Sequence, residues 1–223
     1  MPFASKYYLG ALAVMLSLGS CSVEHKIARE YVGSDTTRSV LVMSPDIVYK
    51  KSLKEWQIDS AARLDERTLD SLLWVNSRYL QYIDDSAFIN RYMGNYIAGL
   101  VELGFTVYTE DSLLSFLSGK PNAFIINVAQ IELEEYVMPL REEAQFDEYI
   151  YSEVVDLNAV NLNSWFEISP LNAEEDETLF FASLYLTDDM EGYFRQYPFT
   201  GEVRFSYEVD TLQLDAVYSL GAL

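Results

Sequence analysis

The residues of this chain best equipped for chemistry are its carboxylates. The sequence holds 35 Asp and Glu against 15 Lys and Arg, with one His and one Cys. Glu132, Glu134 and Glu135 fall in a run that reads as a strand. At ~3.3 Å rise per residue, Glu132 and Glu134 share one face about 7 Å apart. A carboxylate pair at such a separation can split a glycosidic bond. A solvated strand face explains the same pair, because two-step Glu pairs arise readily in so acidic a chain, and no catalytic residue is assigned. Glu174-Glu175-Asp176-Glu177 and Asp188-Asp189 offer hard oxygen ligands, but neither has the spaced Asp/Asn pattern with Gly of a calcium loop. Both read as solvated turns. The single histidine, His25, lies in a polar N-terminal stretch, whereas a Ser-His-Asp triad needs a positioned His with an acidic orienter. Zinc sites want Cys and His in clusters, and this chain has neither. Gly201-Glu202-Val203 lacks the spacing and the Lys of a phosphate loop. No metal and no cofactor are expected.

Recognition chemistry is better represented. The chain has 17 Tyr and 12 Phe, and the stretch 193–199 concentrates Tyr193, Phe194, Tyr197 and Phe199 beside Arg195 and Pro198. Tyr and Arg are over-represented where binding energy is concentrated at interfaces. Tyr193, Phe194, Arg195, Tyr197 and Phe199 are therefore the candidate partner-binding residues. The competing reading is a loop folded over the edge of the core with its aromatics buried. Trp165 and Phe166 pose a similar question, because adjacent strand residues point to opposite faces. Either the sheet is covered on both sides there or one aromatic is exposed.

The N-terminus has the three-part layout of a secretory signal: Lys6, an apolar and small run from Tyr7 to Leu18, then Gly19, Ser20 and Cys21. The run is short of the ~20 residues a membrane-crossing helix needs. Leu18-Gly19-Ser20-Cys21 resembles the lipobox of bacterial lipoproteins. The resemblance implies cleavage before Cys21, a diacylglycerol on its thiol and a fatty acid on its new amino group. Cysteine catalysis is then excluded, since the only thiol is acylated. Each buried methylene adds ~0.8 kcal/mol, and stable anchoring takes more than one chain. Residues 1–20 are the expected signal peptide, and 21–38 a lipidated cysteine with a flexible tether, in which Gly33 to Thr37 are small or polar. Ser22 resembles the usual outer-membrane choice after the lipidated residue. The formal net charge of −20 repels phosphate backbones and anionic lipid surfaces, so nucleic acid is not an expected partner.

The remaining chain, 39–223, is half apolar by composition and long enough for one good core. Ser39 to Tyr49 reads as a strand whose ladder ends or bulges at Pro45. Asp65 to Tyr82 has helical spacing. A second helix starts at caps among Asp84 to Ser86 and ends before Gly104, which suits a left-handed C-terminal position. Phe105 to Tyr108 is a short strand, and Thr109 caps another helix. Ala123 to Val137 and Val154 to Ile168 read as long strands, the second with a phase switch that predicts a bulge near Ala159. Leu179 to Leu186 is a strand, Thr187 to Gly201 a loop, and Val203 to Val209 an alternating strand with one wet face. Asp210 precedes a short final helix.

This order implies an α+β domain with an α/β-like start: one mixed sheet with two to three helices packed on a face. Strands joined through helices favour a parallel pairing of the first strand with Phe105–Tyr108. On Val40-Leu41-Val42-Met43-Ser44-Pro45, on Glu102-Leu103-Gly104-Phe105-Thr106-Val107-Tyr108 and on Ala123-Phe124-Ile125-Ile126-Asn127, the stretch from Val40 to Tyr136 resembles the domain shared by the TolB N-terminal region and some envelope lipoproteins. Among those are the curli secretion lipoprotein and the lipoprotein activator of peptidoglycan synthase. The resemblance implies a non-catalytic envelope module that docks onto other proteins. The expectation is thus a lipid-anchored interaction or assembly module of the cell envelope, at the outer membrane, with a protein partner there. The alternative is a glycan- or small-ligand-binding lipoprotein whose aromatics stack on sugar rings.

Overall fold

The protein is described by a computed structural model, covering residues 38–58, 63–118, 123–171 and 178–222. The signal, Cys21, His25 and the tether lie outside these residues, as does the acidic turn Glu174–Glu177. The elements in order are β1 (Ser39–Met43), β2 (Val48–Ser52), α1 (Glu66–Val75), α2 (Asp85–Glu102), β3 (Thr106–Tyr108), α3 (Leu113–Leu117), β4 (Ala123–Phe146), β5 (Tyr149–Pro170), β6 (Thr178–Thr187), β7 (Asp189–Gln196), β8 (Val203–Asp210) and α4 (Leu214–Ser219).

Among the described residues, six strands form a mixed sheet in the order β3-β1-β4-β5-β6, with β2 also pairing with β4. β1 is parallel to both β3 and β4, as the helical connection between β1 and β3 implies. The stretch Ser39–Tyr49 is two strands rather than one. β1 pairs with the start of β4, and β2 pairs in parallel with Ile131–Glu135 of the same strand. The break at Pro45, which has no N–H to give a ladder, matches a register shift between Val128 and Gln130 on β4. That shift is the observed bulge. The β5 register runs through Ala159 without interruption. The phase switch expected to mark a bulge there instead marks burial on both faces: Ala159 and Val160 are both fully buried.

The single sheet expected from the sequence is incomplete, because β7 and β8 form a separate two-stranded ribbon. β4 and β5 are also far longer than expected, at 24 and 22 residues. Their pairing continues beyond the last partners of β2 and β6 to a turn at Asp147 and Glu148, leaving a two-stranded arm.

The core lies between the sheet and the helices. Val40, Val42, Ile126, Val128, Ile131, Leu133, Val160, Leu162 and Phe166 meet Leu80, Phe88, Ile89, Met93, Val217 and Leu220. Asp84 caps α2 by accepting from the Ala87 N–H at 2.7 Å, and Gly104 follows the helix with φ of 86°. The helix expected over Asp65–Tyr82 stops at Val75, followed by a 3-10 turn over Leu80–Tyr82. The physical reason is tertiary: the backbone N–H groups of Arg78, Tyr79 and Leu80 donate to the Glu135 carboxylate instead of to helical carbonyls.

Candidate functional site

The expected loop Thr187–Gly201 is mostly strand. β7 runs from Asp189 to Gln196 and pairs antiparallel with β8 in an eight-residue register from Asp189↔Asp210 to Gln196↔Val203. Alternation assigns the two faces. Met190, Gly192 and Phe194 share one with Val203, Phe205, Tyr207 and Val209. Phe194 and Phe205 meet there with centroids 4.8 Å apart, and Phe205 and Tyr207 stack at 5.6 Å. Gly192 is required by this packing: a Cβ at that position would lie 2.5 Å from the Phe205 ring.

The opposite face of the ribbon carries its charge. At the base, Asp189 faces Asp210 and Glu191 faces Glu208. Tyr193, 61% exposed, faces Ser206. At the tip, Arg195 faces Arg204. Each charged pair across this face is therefore a pair of like charges, acidic at the base and cationic at the tip. Like charges directly opposite each other destabilise a sheet. At the tip the two guanidinium groups stand over the Tyr197 ring at 5.6 and 5.4 Å. Arg204 also binds both Glu202 oxygens, at 2.8 and 3.1 Å, and that hydrogen bonding holds the Glu202 carboxyl below its ordinary value. Gly201, with φ of 69°, closes the turn by donating to the Tyr197 carbonyl at 2.8 Å. Phe199, at the apex, is 99% exposed.

The five aromatic and cationic residues singled out by sequence are thus gathered on one hairpin, but not on one side of it. Tyr193 and Arg195 point to the charged face, Phe194 packs on Phe205, and Tyr197 and Phe199 form the turn. The quartet of acids at the base is not legible in the sequence, because Asp189 and Glu191 lie far along the chain from Glu208 and Asp210 and meet them only through the register.

Glu132 and Glu134 do share a face of the main sheet, the one turned away from α2. Glu134 accepts from Asn163 at 2.9 Å and from Asn161 at 3.4 Å, and Gln130 donates to Glu132 at 3.2 Å. Asn161 also donates to Asn163, and Ser183 to Asn161, each at 2.9 Å. Along the register, Gln130 leads to Trp165 and Phe181, and Glu134 to Asn161 and Tyr185. Trp165 and Phe181 lie 5.1 Å apart. Phe166 turns to the other face and stacks on Tyr96 of α2 at 5.4 Å. The result is a patch of amides and carboxylates bordered by aromatic rings.

Glu135, beside this pair, has a different role. It is fully buried and accepts from Lys54 Nζ at 2.6 Å and from three backbone N–H groups. Lys54 also donates to Asn158, whose amide and backbone N–H both reach Asp188. Burial pushes the Asp188 carboxyl up, but hydrogen bonds from Asn158 and the Leu212 N–H outweigh it and hold the group below its ordinary value. Burial and the Asp188 charge together push the nearby Tyr79 phenol to about 12. Asp188 is thus committed to structure and is no open calcium ligand. Among the described residues, no group of three or more His, Cys, Asp or Glu is placed to hold a metal ion. No described helix is long and apolar enough to cross a membrane.

No family model and no curated relative matches this chain. A solved structure of a neuraminyllactose-binding hemagglutinin homolog from Helicobacter pylori aligns over 84% of this chain and 78% of its own, at 11% identity and a TM-score of 0.27. A likeness that distant carries no argument about fold or ligand.

Proposed function

We propose that this protein is a lipid-anchored, non-catalytic interaction module of the cell envelope that captures a protein partner on the β7–β8 hairpin. The observation that carries the reading is the charge arrangement of that hairpin. A two-stranded ribbon is marginally stable by itself, yet this one sets acid against acid at its base and arginine against arginine at its tip. Such pairs work against the ribbon's own stability, and local rules are most often broken where a residue serves function. A partner bearing cations opposite the base and a carboxylate opposite Arg195 would neutralise what Glu202 does not, while Tyr197 and Phe199 supply the aromatic anchors. The anchor rests on the sequence: the lipobox-like Leu18-Gly19-Ser20-Cys21 at the end of an apolar run, with outer-membrane placement following from Ser22.

The test is in-cell crosslinking followed by purification in mild detergent and mass spectrometry. The natural chain, Cys21→Ala and Phe199→Ser are compared. A stoichiometric envelope protein, recovered with the natural chain and lost with Phe199→Ser at unchanged expression, is the expected result. Recovery of the same partner with Phe199→Ser and with Arg195→Ala would sink the hairpin as the site.

A second reading, a glycan-binding lipoprotein, is favoured by the open sheet face. Glu134 and Asn161 place an acceptor and an amide together over the buried Asn163, and Trp165 and Tyr185 border them with apolar rings. A glycan array probed with the purified chain tests it. Binding that Trp165→Ala abolishes supports this reading, and a blank array removes it.

A further inference from the structure

β6 forms the outer edge of the main sheet, with no partner strand on its free side among the described residues. Thr178–Thr187 reads TLFFASLYLT, with no charge and no proline. Native proteins guard an edge with Lys, Pro, bulges or a covering element, since an open ladder invites another strand. Among the described residues none of these guards β6 beyond the 220–222 turn that touches it. Its apolar side chains are exposed on both faces: Phe180 and Leu184 on the α2 side, Leu179, Phe181 and Tyr185 on the other.

Beside Leu184 of this strand lies a groove of about 670 Å³, bounded by Tyr96, Gly99 and Leu100 of α2, by Leu103 just past its end and by the turn at Gly221. Its size is that of pockets that take several apolar groups. Gly99 is the informative residue. A glycine inside a helix costs about 1 kcal/mol relative to Ala. Among the described residues nothing lies within 4 Å of where its Cβ would be, so no packing within them requires it; the same holds for Gly94, but of the two only Gly99 lines the groove. The missing side chain keeps the groove open to something from outside.

We propose that β6 and α2 form a strand-addition site, which takes an extended apolar segment of another protein, flanked by basic residues. The segment continues the sheet at β6 and sets alternate side chains into the groove over Gly99. Charge selects the occupant. Past the buried Asp188, β6 leads into Asp189 and the Asp189–Asp210 and Glu191–Glu208 pairs. A second copy of β6 added in parallel would bring acid against acid at this end, whereas a basic flank complements it. The inference rests on the reading of the chain as an interaction module, but it concerns a surface separate from the β7–β8 hairpin.

The probe is a fluorescein-labelled peptide, Lys-Arg-Lys-Val-Thr-Leu-Thr-Phe-Thr-Val-Lys-Arg, titrated by anisotropy against the full-length chain in mild detergent. Gly99→Leu fills the groove and replaces a helix-breaking residue, so it is expected to hold or raise Tm while weakening the peptide at least tenfold. Alternate N–H groups of an added strand face β6. Two peptides N-methylated on opposite alternate residues should therefore differ at least tenfold from each other. Replacing the basic residues by Ser should weaken binding about tenfold in dilute buffer and little at high salt, where exposed charges are screened. Unchanged affinity with Gly99→Leu, or equal affinity of the two N-methylated peptides, overturns the proposal. So does a dimer of the free chain, seen by sedimentation, that Gly99→Leu dissociates. If an envelope partner is lost with Phe199→Ser but the peptide is indifferent to Gly99→Leu, the module reading survives and the strand-addition site does not.

Discussion

Two regions of this molecule handle charge in opposite ways. In the main sheet, the buried Glu135 carboxylate meets Lys54 and three backbone N–H groups, and Asp188 meets Asn158, the Leu212 N–H and the Tyr79 hydroxyl. Both of these buried charges are answered from within the chain. On the β7–β8 ribbon the cross-strand neighbour of each charge has the same sign. The difference separates two uses of ionised groups: the first holds a loop and two strands in place, and the second leaves the opposed acids of the ribbon base to be completed from outside, while at the tip Arg204 is paired with Glu202. Substitutions of these charges should therefore have opposite signs in the two regions, costing stability in the sheet and adding it at the ribbon base.

The largest effect belongs to Glu135. Removing one partner of a buried ion pair leaves the other charge uncompensated, at about 3–5 kcal/mol. Glu135→Ala also strands the N–H groups of Arg78, Tyr79 and Leu80, so urea unfolding should place the loss at the upper part of that range. The double variant Glu135→Leu with Lys54→Met separates the two contributions. It removes both charges but still leaves the three N–H groups unpaired, at about 1–3 kcal/mol each when buried, and it should recover only part of the loss. Full recovery would show that the carboxylate serves Lys54 alone.

Next is Gly192, on the apolar side of the ribbon. A Cβ there would sit 2.5 Å from Phe205 Cζ, so Gly192→Ala must displace the ring that packs on Phe194. Overpacking of this kind costs about 1–3 kcal/mol. Because the ring belongs to the ribbon, the cost should appear in hydrogen exchange of β7 and β8 and spare the main sheet. Phe205→Leu should relieve it in the double variant. Faster exchange in β4 and β5 as well would mean that the ribbon unfolds together with the sheet.

The Asp188 carboxyl makes a smaller contribution that depends on pH. Its folded pKa lies below the ordinary value of 3.8, so the charged form is the one that folding favours. Its stabilisation is fully present above the unfolded value and is lost as pH falls through the folded value. In urea unfolding between about pH 2 and 5, the natural chain should lose stability more steeply than Asp188→Asn. On the alkaline side Tyr79 gives the mirror image. Its phenol is raised to about 12, so its contribution is whole below the ordinary Tyr value and is lost as pH rises through 12. Parallel acid limbs for the natural chain and Asp188→Asn would remove Asp188 from the account.

The regions also differ in how far sequence reveals them. α2 was legible in full, because Asp84, its apolar stripe and Gly104 are local signals. β8 was legible from its alternation of Val203, Phe205, Tyr207 and Val209 with polar residues. β7 was not, because Gly192 occupies an inward position and breaks the apolar period that its partner ring makes unnecessary. The ends of β4 and β5 were missed because the arm packs against little, so Arg141, Glu142 and Glu143 carry no core pattern. α1 was drawn too long because the helical spacing through Tyr79 and Leu80 is real, and what ends the helix is a carboxylate 55 or more residues away. The aromatic cluster could be found by composition alone. The acidic base beside it could not, since its partners are joined only by strand register.

The smallest expected effect is the one that most sharply tests the contrast. Asp210→Lys turns the Asp189–Asp210 pair into opposite charges. A favourable cross-strand pair contributes roughly 0.2–1 kcal/mol, and the repulsion it replaces is of similar size. Slower hydrogen exchange in β7 and β8 should report the gain, diminishing as salt screens the exposed pair. The main sheet should be unaffected. The same substitution places a cation where a partner's cation would bind, so recovery of the crosslinked partner should fall although the protein is more stable. A ribbon that becomes more stable and captures its partner as well as before would mean that the opposed acids are unrelated to binding. A ribbon that becomes less stable would mean that the acids at the base are already neutralised within the chain, and the division between the two regions would not stand.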